Sequence, residues 1–231
     1  MRVVHAELRK LLGLPPAWGA LALGLVVAPV IAYLNRHVSS VDAGYQEFAF
    51  GMIGVIVLGV VAVSSEYRAE SAEDAGTRQI VTSLTAVPSR VQLLAAKAGA
   101  LTLTVTVLAA VTAAVTLTVA DAEITAARVL GAIIYWVLTA LLATGITLLT
   151  RSGVVPLVVL ILNTTVVSVT YLISKVLSAA GYFPDLAGSR MFIRGGHVDL
   201  GIAPATGGLI MCGWTAVVVT AGAVAFCRRD A

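Results

Sequence analysis

The chain has 231 residues, of which 59% are hydrophobic and 12% are charged, and its mean hydropathy is +0.98. A soluble domain has about a quarter charged residues, so this chain has too little polar surface for a soluble globule, and we predict a membrane protein. The formal net charge of +3 is too small to indicate a nucleic-acid partner.

The first predicted element is an amphipathic helix over residues 1–13. Leu8 and Leu11 recur at helical spacing, while the charged residues occupy the rest of the helical wheel. Such a helix lies flat in the headgroup region with its apolar face toward the lipid. The proline pair that starts at Pro15 then ends it, and the chain turns into the membrane. We expect the apolar run that follows to be a retained first span.

Six apolar segments follow, and each approaches the roughly 20 residues that cross a 30 Å hydrocarbon core as a helix. Helices are expected because lipid offers the backbone no hydrogen-bond partners. The predicted fold is therefore an all-α membrane protein, with one transmembrane domain over residues 1–231. Its predicted spans are 16–34, 48–65, 98–120, 128–149, 154–174 and 207–227.

The distribution of Lys and Arg among the loops predicts the orientation in the membrane. With the N-terminus inside, ten of the 15 basic residues fall on the inner side, namely Arg2, Arg9, Lys10, Arg68, Arg78, Arg90, Lys97, Arg151, Arg228 and Arg229. The other five fall outside, namely Arg36, Arg128, Lys175, Arg190 and Arg194. We therefore predict a multi-pass protein of the cell membrane with both termini inside (N-in, C-in).

Small and hydroxyl residues recur in the first three spans. The first span has small residues at four-residue spacing, namely Ala20, Gly24 and Ala28, and these permit close helix approach. The second span has Gly51, Gly54 and Gly59, which either form packing faces or are simply tolerated. The third span is rich in threonine, whose hydroxyls either bond to their own helix or line a polar pathway.

Asn163 lies near the middle of the fifth predicted span, where an amide in hydrocarbon needs a partner. It either makes a hydrogen bond between helices or, together with Thr164 and Ser168, contacts a substrate. The outer segment that follows, residues 175–206, mixes apolar residues with Gly, Pro and Ser. We predict that it re-enters the membrane or lies along the interface, either as a cap over an outward exit or as an anchored loop.

Cys212 and Cys227 are the only cysteines, and both fall in the last predicted span. Their spacing corresponds to roughly 22 Å along a helix, which is too long for a disulfide. We expect both to be buried apolar residues.

Sequence motifs that bind nucleotides or metals are missing. The chain has no phosphate-binding loop, and its three histidines are scattered without a metal-binding spacing. Ionisable residues are absent from the middle of the predicted spans, which counts against a proton-driven antiporter. We therefore predict no catalytic residue, no metal site, no cofactor bound by this chain and no enzyme activity of its own.

The longest charged stretch, residues 66–97, separates the second and third predicted spans. Within it, Ile80 and Leu84 lie on one side of a predicted short helix, and Pro88 ends that helix. A short helix across the inner face suits docking on a cytosolic protein. The alternative is a solvated basic loop that only sets the orientation.

Residues in this stretch and at both ends of the chain resemble a known family. In order they are His5-x-Glu7-x-x-Lys10, Glu66-Tyr67-Arg68, Gly76-Thr77-Arg78, Leu84, Pro88, Ser89-Arg90, Leu93-Leu94-Ala95-Ala96-Lys97, and Phe226 with Arg228-Arg229-Asp230. Together with the predicted six-span layout, they resemble the permease subunits of type-2 ATP-binding-cassette (ABC-2) exporters. The likeness extends over the whole chain.

The resemblance implies that residues 77–90 form a coupling helix that docks on an ATPase subunit. The implied coupling residues are Glu66, Arg68, Thr77, Arg78, Ile80, Leu84, Pro88 and Arg90. One departure from the family pattern is the insertion at 69–75, which contains three acids and leaves the docking register open.

The resemblance also implies the partners of the chain. They are a separate ABC ATPase that binds ATP and Mg, a second permease copy or paralogue, and the lipid of a prokaryotic plasma membrane. The expected cargo is amphiphilic, because the spans offer small, apolar and hydroxyl surfaces, and the resemblance implies that it moves outward.

Two other functions stay open at the level of sequence. The first is a non-transport membrane protein, such as an immunity, scaffold or assembly factor, that binds another membrane protein. The second is a membrane enzyme that acts at the outer face through Asp185, His197 and Asp199. These three lack an evident nucleophile, and we expect them to be solvated.

Overall fold

The structure, a computed structural model, describes residues 2–38, 40–65, 89–163, 169–195 and 201–228. The all-α prediction is confirmed for these residues, among which no strand occurs. Five helical stretches within them are long and apolar enough to cross a membrane, namely Pro15–Asn35, Tyr45–Ser64, Arg90–Val119, Ala126–Thr150 and Pro204–Arg228.

The described residues form ten α-helices and two 3-10 turns. The helices are α1 (Arg2–Gly13), α2 (Pro15–Asn35), α3 (Tyr45–Phe48), α4 (Met52–Ser64), α5 (Arg90–Val119), α6 (Ala126–Thr150), α7 (Val154–Ile161), α8 (Val169–Ser174), α9 (Pro184–Ser189) and α10 (Pro204–Arg228). The turn Ala49–Gly51 joins α3 to α4, and the turn Ser178–Tyr182 precedes α9.

The proline pair at residues 15–16 separates α1 from α2. Leu14 is extended, and Pro15 begins α2 at the first helical position. A proline there lacks only an N–H that the helix would leave unbonded, and its fixed φ suits the helix start. The predicted boundary between an interfacial helix and a first span therefore coincides with a helix boundary, although the position of α1 in the membrane stays a prediction.

The fifth predicted span, 154–174, contains two short helices in the structure, α7 and α8. Residues 164–168 between them lie outside the described part of the chain. The prediction of six spans therefore stays a prediction. By contrast, the third span is longer than predicted, because α5 begins at Arg90 and has 30 residues. This corresponds to about 45 Å, so roughly ten residues extend beyond a 30 Å hydrocarbon core.

Helix α6 is the centre of the bundle, with contacts to α4, α5, α7 and α10. Trp136 on α6 is fully buried and stacks on Phe48, with ring centroids 4.2 Å apart. Phe192, from the segment after α9, packs edge-on against Phe48 and also against Tyr135. Part of the predicted outer segment 175–206 is therefore packed into the core.

Small residues bring α2 and α4 into backbone contact. Ala20, Gly24 and Ala28 are all buried on α2. A methyl group at Gly54 would overlap the carbonyl oxygen of Ala20 and the backbone nitrogen of Gly24. Gly51 and Gly59 are packed just as closely against α6. The structure supports the packing interpretation of both small-residue patterns.

The outer faces of the bundle are apolar and exposed. Val26 on α2, Val107 on α5 and Val217 on α10 are exposed to 53%, 57% and 65%. Apolar surface of this extent is typical of contact with lipid. The expected burial of the two cysteines was wrong, since Cys212 and Cys227 are both exposed on α10. A helix that is apolar on all sides gives no sequence signal for which face points inward.

The bundle has two ends, which we name for the segments they contain. The termini end contains α1, the start of α5 and the last turn of α10, which contact each other. The loop end contains residues 40–44, 120–125 and 190–195, which contact the start of α6 or each other.

Candidate functional site

At the termini end, an ion pair of low exposure joins α1 to the bundle. Lys97 on α5 donates to Glu7 on α1 with an Nζ–Oε2 distance of 2.6 Å, and the two side chains are only 7% and 11% exposed. The same ammonium lies 3.4 Å from the carbonyl oxygen of Ala62, in the last turns of α4. Lys97 therefore joins α5 to both α1 and α4.

A second contact joins the start of α5 to the end of α10. The Arg90 side chain donates to the carbonyl oxygen of Phe226 at 3.0 Å, and its guanidinium lies 5.9 Å above the Phe226 ring. Phe226 lies in the last turn of α10, where carbonyls have no partner within their own helix and favour a cation. The same ring packs in a small apolar cluster with Val63, Leu94 and Leu148.

Residues 66–88 lie outside the described residues, but these contacts involve the helices on both sides of them, namely the end of α4 and the start of α5. On one flank, α4 ends at Ser64 and is contacted through Ala62. On the other flank, the Ser89 hydroxyl caps α5 by accepting from the Gln92 N–H at 3.3 Å. A force on the segment 66–88 would therefore act directly on α4 and α5.

Of the predicted coupling residues, Arg90 is the one that the structure describes. Glu66, Arg68, Thr77, Arg78, Ile80, Leu84 and Pro88 lie outside the described residues. A gap beside Lys97, between α1 and α4, holds only about 10 Å³, room for about one water molecule. The described polar side chains at the termini end therefore connect helices to each other, and the gap beside Lys97 is too small to bind a substrate.

A polar cluster surrounds Asn163, where α7 ends. Its Oδ1 accepts from the Thr170 N–H at 3.1 Å and from the Thr170 hydroxyl at 2.8 Å, which links α7 to α8. Thr164 and Ser168, the other predicted pathway residues, lie outside the described part. Both bonds lie within the fifth predicted span, so the two alternatives for Asn163, a bond to another span and a substrate contact, stay predictions.

Asp185 on α9 belongs to the same cluster, and its Oδ1 is enclosed by protein. Burial raises the pKa of this carboxyl, and hydrogen bonds from the Leu186 backbone and from the Asn163 and Thr170 side chains partly offset the rise. The expectation of a solvated Asp185 was therefore wrong, because α9 packs against α10 and α6 instead of lying in solvent. His197 and Asp199 lie outside the described residues.

The loop end is held by a second buried ion pair, between Asp42 and Arg128, whose residues are 1% and 5% exposed. The Asp42 carboxylate also accepts the backbone N–H of Arg194 at 3.0 Å and that of Gly195 at 2.5 Å. Arg128 donates its Nε–H to the Phe192 carbonyl at 2.8 Å. Asp42 therefore fastens the segment after α9 to the start of α6.

Glu7 and Lys97 belong to the motifs that carry the family resemblance, but sequence reasoning predicted no ion pair for Glu7, Lys97, Asp42 or Arg128. The last of these was counted as an outer loop charge, although its position at the edge of a predicted span was a signal of partial burial. Two basic and two acidic residues next to span ends suggest pairing, but each acid had several possible partners. Among the described residues, no three His, Cys, Asp or Glu side chains come together as metal ligands.

Comparison with known proteins does not assign the chain to a family. No protein-family model matches the chain, and no curated protein matches it either.

Proposed function

We propose that this chain is the transmembrane permease subunit of an ABC exporter, which moves an amphiphilic substrate outward with the energy of ATP hydrolysis in a separate subunit. Two permease subunits, identical or paralogous, would pair in the cell membrane and bind two ATPases. Support comes from a helical bundle with membrane-length apolar helices and from the resemblance in sequence.

The observation that carries the proposal is the pairing of residues that the resemblance singled out. Glu7 belongs to its opening motif and Lys97 ends its central motif, and the two form the buried ion pair. Arg90 and Phe226 come from the central and final motifs, and they also contact each other. Four residues from three distant motifs therefore meet at one end of the bundle, beside both ends of the proposed coupling segment.

The ties at the termini end suggest how force would spread through the subunit. When ATP binding closes the ATPases, residues 77–88 would move with the partner's surface. Because α4 and α5 flank that segment, they would move first. The Lys97 and Arg90 contacts would then carry the motion to α1 and α10, and the bundle would switch from an inward-facing to an outward-facing state.

The polarity of the helices bears on the substrate. Three of the threonines on α5, Thr104, Thr106 and Thr118, donate their hydroxyls to carbonyls of their own helix. Their hydroxyls are therefore used within α5, and the surface that remains is mainly apolar. An amphiphilic cargo fits such a surface better than a charged, fully hydrated one.

The experiment replaces residues 77–88 by a Gly/Ser linker of equal length and co-expresses the chain with a candidate ATPase. Ser89 and Arg90 are kept, because they cap α5 and hold α10. We expect the linker variant to reach the membrane but to lose co-purification and stimulation of the ATPase. The matched control replaces the exposed residues 36–38 at the loop end and should retain both.

Two outcomes distinguish the proposal from its competitors. If the linker variant still assembles with the ATPase and stimulates it as the wild type does, the coupling assignment is wrong. If the wild type binds another membrane protein but no nucleotide-binding protein, the exporter proposal is wrong and the non-transport function is favoured.

A further inference from the structure

An apolar groove of about 620 Å³ lies on the surface of the bundle between α1, α2 and α5. This volume falls within the range of small-molecule sites, about 300 to 1,000 Å³. The groove is lined almost entirely by apolar side chains from the three helices. Its one hydroxyl, on Thr104, donates to the Ala100 carbonyl at 2.9 Å and is thereby satisfied within α5.

The groove has the depth of one membrane leaflet. It starts at Leu8 and Leu12 on α1 and extends to Leu25 on α2 and Val111 on α5. From Trp18 to Leu25 the α2 side rises by about 10 Å, which is less than half of a 30 Å hydrocarbon core. With the termini end at a membrane surface, as the amphipathic character of α1 predicts, the groove would therefore lie within one leaflet.

Helix α1 crosses the termini end of the groove and excludes a spanning helix. Leu8 and Leu12 form this end, and α1 is held in place by the Glu7–Lys97 ion pair. A transmembrane helix is about 10 Å wide and needs open surface across the whole core. An acyl chain is narrower and extends from the headgroup level toward the middle of the membrane, so it fits in the groove beside α1.

Trp18 marks the level of the headgroups. Its side chain is 61% exposed at the groove, and its indole N–H donates to the Leu12 carbonyl at 2.8 Å. Tryptophan with one apolar side and one bonded N–H is typical of the membrane–water interface. This contact agrees with the predicted position of α1 at the interface, which would put the groove mouth at the level of the lipid headgroups.

The mouth of the groove is also basic. His5 and Arg9 are exposed on the side of α1 that adjoins Leu8 and Leu12 at helical spacing. Glu7, the one acid of α1, lies on the other side in contact with Lys97. An exposed arginine beside an apolar groove at the interface is complementary to a phosphate above an acyl chain.

We infer that the groove binds an anionic phospholipid of the leaflet at the termini end. One acyl chain fills the space between α2 and α5, and the headgroup phosphate contacts Arg9. The bound lipid packs against α1, α2 and α5 together, so it stabilises the amphipathic helix on the bundle. This site is separate from the proposed transport function and does not depend on it.

The test is native mass spectrometry of the purified full-length chain with phosphatidylglycerol or phosphatidylcholine of identical acyl chains. The wild type should bind phosphatidylglycerol about fivefold more tightly, as expected for one arginine near an anionic headgroup. Arg9→Gln should remove this preference and leave the binding of phosphatidylcholine unchanged. Ala22→Phe, which fills the groove, should weaken both lipids by about tenfold, equivalent to excluding about two buried CH₂ groups.

The matched control is Ala216→Phe, the same change at an exposed position of α10 away from the groove. It should bind both lipids as the wild type does. Equal affinity of the wild type for the two lipids would overturn the inference, and so would equal effects of Ala22→Phe and Ala216→Phe. A loss of dimer mass instead of lipid mass in Ala22→Phe would show that a second copy of the chain occupies the groove.

Fluorescence gives a second readout that does not depend on detergent. Trp136 is fully buried, so in a Trp214→Phe variant Trp18 is the only exposed tryptophan. In vesicles, brominated phosphatidylglycerol should quench Trp18 more strongly than brominated phosphatidylcholine, and Arg9→Gln should abolish the difference. Quenching that is equal for the two lipids in the Trp214→Phe protein would contradict the inference.

Discussion

Lys97 and Glu7 combine low exposure with opposite charge, so neither side chain can lose its partner cheaply. Removing one member of a buried pair leaves the other charge desolvated, at a cost of about 3–5 kcal/mol, whereas removing both is often close to neutral. We predict that Lys97→Met lowers the free energy of unfolding by about this amount. Denaturant titration in detergent micelles measures it.

The double variant Glu7→Gln/Lys97→Met is the control for this prediction. It should recover most of the lost stability, because no buried charge remains unpaired. If Lys97→Met and the double variant lose the same stability, the ion pair is not what holds α1 to α5.

Arg128 uses two sides of its guanidinium, one for Asp42 and one for the Phe192 carbonyl. Lysine keeps the charge but cannot reproduce this forked geometry. We predict that Arg128→Lys loosens the segment 190–195 by about 1.5–3 kcal/mol, the usual range for a hydrogen bond to a charged group. Amide exchange in that segment should rise by one to two orders of magnitude, while exchange in α5 stays unchanged. Unaltered exchange in 190–195 would contradict the role of Arg128.

We predict that the stability of the fold depends on pH through Asp185, and the sign of this dependence follows from the raised pKa of its carboxyl. In the interval between the ordinary pKa and the raised one, the folded chain holds more protons than the unfolded chain. Stability therefore falls as pH rises through this interval. We expect the apparent melting temperature to decrease from acidic toward neutral pH, and Asp185→Asn to flatten this slope. An equal slope in Asp185→Asn would show that another group causes it.

At the scale of the elements, the packing of α2 on α4 depends on Gly54, which leaves no space for a side chain. We predict that Gly54→Ala destabilises the chain by about 1–3 kcal/mol, because α2 must move away from α4. Gly213 on α10 is also helical, but nothing lies within 4 Å of its added methyl group. Gly213→Ala should be neutral or stabilising by up to about 1 kcal/mol. Equal effects of the two changes on the free energy of unfolding would exclude close α2–α4 packing.

The long helices could be predicted from the sequence because apolar length is a local property. For the same reason, the small residues of α2 and α4 indicated a packing face. The ion pairs could not be predicted, since Glu7 and Lys97 are 90 positions apart and Asp42 and Arg128 are 86 apart. Their pairing depends on how five helices cross, and hydropathy contains no information about that. The burial of Asp185 was missed because α9 packs on the bundle despite its polar, loop-like sequence.

At the scale of the whole molecule, the two ends of the bundle are fastened in different ways. The loop end has Asp42, which holds the start of α6 and residues 194–195. The termini end has side-chain ties from α5 to α1, α4 and α10, around the two ends of the segment 66–88. In the proposed function, a separate ATPase must contact the termini end to move this subunit. The termini end must therefore face the cytosol.

The most direct test of this central claim is labelling by a membrane-impermeant thiol reagent in intact cells. Single cysteines are introduced at Ser83, within the proposed coupling segment, and at Val41, which is 77% exposed at the loop end, after Cys212 and Cys227 are replaced by alanine. We predict that Val41→Cys is labelled in intact cells and that Ser83→Cys is labelled only after permeabilisation. Labelling of Ser83→Cys from outside the cell would place the segment on the wrong side for a cytosolic ATPase and contradict the account.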